Sequence, residues 1–323
     1  MLTPAFKDYL WGGSRLNDDF GKNIASFPLA ETWECSTHPD GPSRLLTGED
    51  LRAVIAAHPE YLGSHSLQTT GGKPELPILI KLIDAKQDLS VQVHPDDDYA
   101  REYEGQWGKT EVWYILAARK NAQLIYGFNQ DVNAAQVREA VENGTIGTLL
   151  NHVPVHKDDL FFIQAGTVHA VGAGCLVAEI QQSSNLTYRL YDYDRVDRYG
   201  HKRELHIDKA LSVARLSSST APRQPMHVLR YRSGYASELL TRCKYFQVER
   251  VLLNTETQRD LVSFQTGPNS FHALLCTDGC GNISWTAGGK DGINFFKGDC
   301  IFVPAESVEL KLHGKAQLLN VSC

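Results

Sequence analysis

Asp159-Leu160-Phe161-Phe162-Ile163-Gln164-Ala165-Gly166-Thr167-Val168-His169 is the stretch on which the fold turns. Its apolar run predicts a short buried strand, Gly166 supplies the positive-φ position of a turn, and His169 ends the unit. A second cluster reads Gln92-Val93-His94-Pro95 and is followed by Gly108-Lys109-Thr110-Glu111-Val112-Trp113-Tyr114. Gln92 and His94 are two apart, so on an extended strand they point to the same face. Two imidazoles, a carboxylate and an amide oxygen suit zinc or another divalent first-row metal. Any one of these positions alone would be ordinary, because the chain has 12 histidines and a lone strand His is usually a core or surface residue. Together, His94, Glu111, His169 and Gln92 predict a metal site.

The unit ending at His169 resembles the corresponding turn of the cupins, small-molecule β-barrels in which a metal His follows Pro-x-Gly-x-x-His. Gln164 replaces the proline here, which leaves the turn geometry open but not the identity of His169. An internal echo widens the resemblance. Asp158–Ala165 aligns without a gap on Gly298–Ala305, with an Asp, a Phe and an Ala identical, and His169 is answered by Glu309. A looser echo sets Val112–Leu116 against His272–Cys276, so that Glu111 is answered by Phe271. The C-terminal part therefore reads as a second barrel without ligands, and no second metal site is expected.

The expected fold is mostly β: tandem cupin barrels (double-stranded β-helix, jelly-roll) with helical additions in the N-terminal part. Ser217–Pro225 is the most linker-like stretch. It divides a catalytic metal-binding domain, 1–220, from a degenerate cupin-like β domain, 221–323. Three helices are predicted before it. One begins near Thr47, with Asp50 as a capping-box signal, and runs through Leu51, Val54 and Ile55. The others span about Asn133–Asn143 and Ile207–Leu216.

At 323 residues the chain can bury one large core or two modest ones. Its 42% apolar and 22% charged composition argues against disorder and against membrane spans. A net charge of −6 argues against a general nucleic-acid binder, which needs a basic footprint. Met1-Leu2-Thr3-Pro4-Ala5-Phe6-Lys7 lacks the pattern of a secretory signal. Seven scattered cysteines fit reduced thiols better than a disulfide frame. The expected location is the cytoplasm.

Further ordered motifs make the chain similar to the type I mannose-6-phosphate isomerases (phosphomannose isomerases) of the short bacterial form. They are Glu31-Thr32-Trp33-Glu34 leading through Cys35 into Ser36–Ser43, then Leu89–Asp97, Gly108–Glu111, the turn ending at His169, and Gln182–Arg195. The last, Gln182-Ser183-Ser184-Asn185-Leu186-Thr187-Tyr188-Arg189-Leu190-Tyr191-Asp192-Tyr193-Asp194-Arg195, is long and specific. The resemblance covers most of residues 1–215. It implies one zinc ion per chain on His94, Glu111 and His169, with Gln92 a fourth ligand or a strand amide bonding a neighbouring loop. Arg189 matches the family's active-site arginine.

The implied reaction interconverts mannose 6-phosphate and fructose 6-phosphate by proton transfer through an enediol, with Arg189 stabilising the developing charge. Lys109, two residues before Glu111, shares the metal's face and is a general base or a phosphate-binding cation. Ser90 is a candidate for the phosphate, and Glu31 and His38 for the pocket lining. The expected partner is a small sugar phosphate, with no nucleic acid and no membrane, and the chain a monomer or weak homodimer. The competing readings are an isomerase of another sugar, a non-catalytic sugar-phosphate-sensing cupin, and a metal-dependent cupin oxygenase.

Overall fold

The apolar run beginning at Glu111 forms the strand Glu111–Ala118, whose two faces serve two different cores. Trp113 and Ile115 pack with Ile83, Phe161, Val171 and Val177. Val112, Tyr114 and Leu116 pack on the other side with Leu240, Phe246, Phe271 and Leu319. The period of two along a strand makes this division. The structure, a computed structural model, describes residues 1–197, 199–220, 222, 228–256, 261–285 and 291–323.

The strand belongs to a six-stranded antiparallel sheet in the order Leu160–Ile163, Glu111–Ala118, Cys175–Gln182, Ile78–Asp84, Glu31–Cys35, Ala5–Lys7. Across the first core lies a five-stranded sheet: Tyr188–Tyr191, Val91–Val93, His169–Val171, Gln123–Phe128, Leu150–Pro154. These two sheets enclose the first barrel. Helices Ala134–Glu142 and Ile207–Val213 pack on the outside of the five-stranded sheet through Val137, Val141 and Ala210. A ten-stranded sheet carries the C-terminal strands and wraps its own core of Leu253, Leu274, Ile283, Phe295 and Leu318. Leu2–Thr3 and Arg44–Leu45 join that sheet through Cys300. The architecture is the tandem cupin expected from the sequence.

The internal echo has a structural basis. Asp158 and Gly166 take positive φ (73° and 86°), and so do their counterparts Gly298 and Glu306 (100° and 52°). The looser echo is corrected by one residue. Ile163 pairs with Glu111, and its counterpart Val303 pairs with His272. Glu111 is therefore answered by His272, not Phe271; a single-residue slip exchanges the faces of a strand. Glu309, the counterpart of His169, is exposed and pairs with Lys311 at 2.8 Å.

Of the predicted helices, Asn133 caps the second with a full capping box to Gln136. The first is Leu51–Ala57, capped by Asp50 rather than entered at Thr47, whose hydroxyl bonds Glu49 instead. The third stops at Val213, short of Leu216, because the chain turns extended at Ala214. Of the Ser217–Pro225 junction, Ala221 and Arg223–Pro225 fall outside the described residues. No helix among the described residues is long and apolar enough to cross a membrane.

The two barrels meet over polar as well as apolar contacts. The Tyr114 hydroxyl donates to Asp158 Oδ1 at 2.6 Å and accepts from Arg250 (3.2 Å) and Gln317 (2.9 Å) of the second barrel. Losing a buried hydroxyl strands its partners at a cost of about 1–3 kcal/mol. Tyr114→Phe should lower stability by that amount in urea unfolding; an unchanged midpoint and slope would show that this hydroxyl does not help to hold the second barrel.

Candidate metal centre

Three of the four predicted metal-ligating side chains enter the first barrel from strand ends, and Gln92 from the middle of Val91–Val93. His94 follows Val91–Val93, Glu111 opens its strand, and His169 opens His169–Val171. The Nδ1 of His94 donates to the Leu186 carbonyl and the Nδ1 of His169 to the Thr167 carbonyl, both at 2.8 Å. Those bonds leave each Nε2 as the lone-pair nitrogen. The two Nε2 atoms lie 3.6 Å (His94) and 3.4 Å (His169) from the two Glu111 oxygens. The three ligand atoms fall within 4.8 Å of one another, all on buried residues, and make the one such His/Glu group among the described residues.

Both Glu111 oxygens are buried without a hydrogen-bond partner, although the Lys109 ammonium stands 2.8 Å from Oε2. Burial and then the nearby Glu179 push the Glu111 carboxyl up. Burial pushes His94 well down and His169 to about 4, so both imidazoles are neutral and able to ligate near neutral pH. The donor set fits a divalent ion.

The turn before His169 has the conformation its glycine predicts, with Gly166 at φ 86°. The Gly166 N–H donates to the His94 carbonyl at 2.8 Å, tying two ligand-bearing segments together. Gln164, in place of proline, accepts from Arg215 at 2.9 Å, and the Arg215 N–H bonds the Gly166 carbonyl. Those bonds hold the turn that a proline ring would otherwise stiffen.

Gln92 pairs across the sheet with both His169 and Arg189. Its Nε2 is 3.4 Å from His169 Nε2, and its Oε1 accepts from Ser90 Oγ at 3.4 Å. Ser90 Oγ in turn accepts from Arg189 Nε at 3.3 Å, and Arg189 Nη1 is held by the Glu204 carbonyl. Lys109 Nζ reaches His94 Nε2 at 3.2 Å. Six of the predicted site residues besides Glu111 (Gln92, His94, His169, Ser90, Arg189, Lys109) are thus in one connected cluster with it. His38 lies apart, its ring edge-on to Trp33 with centroids 5.8 Å apart.

Sequence reading overlooked Lys81 and Glu179. With Glu31 they extend the cluster into a chain of alternating charge along the inner face of the six-stranded sheet. Glu31 lies 3.7 Å from Lys81, Lys81 3.3 Å from Glu179, and Glu179 3.9 Å from Lys109. Two tryptophans cap it: Trp33 donates to Glu31 at 2.8 Å and Trp113 to Glu179 at 3.0 Å. Burial raises the Glu179 carboxyl, but Lys109 and Lys81 outweigh it and hold the group low, near 2. The signal was present in the sequence: Ile78-Leu79-Ile80-Lys81-Leu82-Ile83 and Leu176-Val177-Ala178-Glu179-Ile180 each carry one charge in an apolar strand, and such a charge is buried only when paired.

Fold and cluster define a cupin with a buried metal-ligand set inside its first barrel. The comparisons make this specific. Residues 1–136 match the family described as phosphomannose isomerase type I, catalytic domain. The mannose-6-phosphate isomerase ManA of Bacillus subtilis is 36% identical over 324 residues, 99% of this chain and 97% of that protein. The mannose-6-phosphate isomerase of Streptococcus mutans is 40% identical over 217 residues, 66% of each chain. The crystal structure of the mannose 6-phosphate isomerase from Bacillus subtilis superposes with a TM-score of 0.87 at 33% identity, covering 100% of this chain and 98% of that one. The chain belongs to the type I mannose-6-phosphate isomerase family and is an enzyme of that class.

Glu111→Ala removes the one carboxylate of the cluster. Metal analysis after dialysis should find about one divalent ion per wild-type chain and well under half of one in the variant; equal contents would place the metal elsewhere.

Proposed function

We propose that the protein interconverts mannose 6-phosphate and fructose 6-phosphate, with a single metal ion, zinc by the donor set, on His94, Glu111, His169 and Gln92. The observation that carries the reading is the pair of neutral imidazoles whose Nε2 lone pairs face a buried carboxylate, with Lys109 beside them, in a chain of this isomerase family. When bound, the ion supplies Lewis-acid polarisation of the sugar's carbonyl and hydroxyl oxygens.

The chain's own residues do the rest. Isomerisation takes a proton from carbon 2 of the open-chain aldose and returns one to carbon 1, with no net redox change, through an enediol. The negative charge that develops needs a fixed counter-charge, and Arg189 provides it, its guanidinium held by Ser90 and the Glu204 carbonyl. Lys109 contacts the substrate's polar oxygens and is the candidate to carry the proton. Glu31, at the far end of the charge chain, contributes a carboxylate toward the sugar hydroxyls.

Gln92 as a ligand requires one adjustment. With His169 Nε2 engaged by a cation, a Gln92 N–H no longer has an acceptor there, which favours the opposite amide orientation (oxygen and nitrogen being nearly interchangeable in shape). Oε1 then faces the ligand set and Nε2 donates to Ser90. The Ser90 hydroxyl hydrogen is thereby released to bond a phosphate oxygen. All seven cysteines are free, which supports action in a reducing cytoplasm; the partner is a small sugar phosphate and the chain a monomer or weak homodimer.

Conversion of mannose 6-phosphate in deuterated water, by metal-loaded and chelated protein, tests the assignment. Metal-dependent fructose 6-phosphate carrying deuterium at carbon 1 is expected, and metal-loaded protein without turnover would overturn it. Arg189→Ala should lower kcat by roughly a hundredfold with bound metal retained; a kcat within twofold of wild type would remove Arg189 from charge stabilisation. Lys109→Ala at near wild-type activity would exclude that residue from proton transfer.

A further inference from the structure

Asp97 is a carboxylate with only 7% of its surface exposed, outside the metal cluster, that the chemistry above leaves unused. It opens the helix Asp97–Glu104, yet its side chain turns away from that helix. Oδ1 accepts from the Gly108 N–H at 3.1 Å and from Gln182 Nε2 at 2.9 Å. Oδ2 accepts from the Tyr245 hydroxyl at 2.9 Å, and Tyr245 belongs to the second barrel.

The groups Asp97 gathers flank Lys109. Gln182 Oε1 accepts the Thr110 N–H at 2.8 Å, and the Gln182 N–H bonds the Thr110 carbonyl at 3.0 Å. The Lys109 N–H is itself taken by the Pro95 carbonyl at 3.0 Å, one residue beyond His94. Three consecutive backbone donors are therefore fixed, two of them through one carboxylate. Gly108 is needed for the close approach: a Cβ there would stand 2.4 Å from the Asp96 carbonyl carbon. From this anchored segment Lys109 extends to Glu111 at 2.8 Å and His94 at 3.2 Å.

We infer that Asp97 is a positioning residue for Lys109 and Glu111, and that Tyr245 of the second barrel steadies it, so that the ligand-free barrel takes part in building the active site. The kinetic arm of this inference rests on the isomerase reading; the backbone arm does not. Displacements of about an ångström at a catalytic group cost large factors in rate, so the effect belongs in kcat rather than in substrate affinity.

The test uses the full-length, metal-loaded chain with Asp97→Ala, Asp97→Asn and Tyr245→Phe. Asp97→Ala should lose about tenfold or more in kcat at a KM within about twofold of wild type. Asn keeps an acceptor for Gly108 and Gln182, so Asp97→Asn should recover most of the loss. Tyr245→Phe, which removes one hydroxyl from a half-buried ring, should fall between them and keeps the test open if Asp97→Ala does not fold. Amide exchange at Gly108 and Thr110, read by NMR, should quicken in the same order as the loss of kcat. Folded variants with wild-type exchange at both amides, or with wild-type kcat, would overturn the positioning role. A wild-type protein that exchanges as described but does not turn over mannose 6-phosphate would refute the isomerase reading and leave the exchange rates to decide the positioning.

Discussion

Buried charge in the first barrel is the constraint on which the rest of the structure depends. Glu31, Lys81, Glu179 and Glu111 lie on the inner face of one sheet, with Lys109 just ahead of the Glu111 strand, each less than one-tenth exposed. An isolated charge there would cost several kcal/mol, so the sign alternates from residue to residue. The chain ends at Glu111 with a carboxylate that Lys109 approaches from one side and two neutral imidazoles face from another. That donor set fits a divalent cation, as apolar packing would not.

Holding such a chain requires that the sheet not move, and the second barrel supplies part of that rigidity. The outer face of the Glu111–Ala118 strand is covered by Leu240, Phe246, Phe271 and Leu319, and Tyr114 is bonded by Arg250 and Gln317. Because alternate residues of one strand face the ligand cluster and the neighbouring barrel, a shift at either face would move the other. The second barrel thus repeats strand pairing of the first with other residues at the positions of Glu111 and His169. Its counterpart of Glu111, His272, is spent on a hydrogen bond to Asn320 at 2.7 Å, and Glu309 faces solvent.

Much of this was legible in the sequence. The ligand triad could be read because His and Glu in short ordered motifs are distinctive, and the glycine of the Gln164–His169 turn announced its own backbone conformation. Lys81 and Glu179 belong to no recognisable motif, although a single charge inside an apolar strand is itself a statement about pairing. The echo slipped by one residue because short strands of Val, Ile, Leu and Phe match equally well in neighbouring registers. Only the hydrogen-bonded partner strand fixes which face a residue takes. The Asp97–Glu104 helix went unread because its charged, tyrosine-bearing sequence offers no apolar stripe; the Asp96 side chain capping the Tyr99 N–H sets its start.

Asp97 shows why sequence order and functional proximity part company here. In the chain it is three residues from His94 and fourteen before Glu111, and although it closes the Leu89–Asp97 motif, the sequence gives it no role beyond that of a helix-opening acid. In the fold it is the point where the His94 turn, the Lys109 segment, the end of the Cys175–Gln182 strand and the second barrel converge. A carboxylate suits that place because it accepts several donors at once without a proton of its own to satisfy. The backbone on either side of Lys109 is fixed by those bonds before any substrate arrives. Positional accuracy at the cluster is in this way drawn from the second barrel, where no such group of potential metal ligands is found among the described residues.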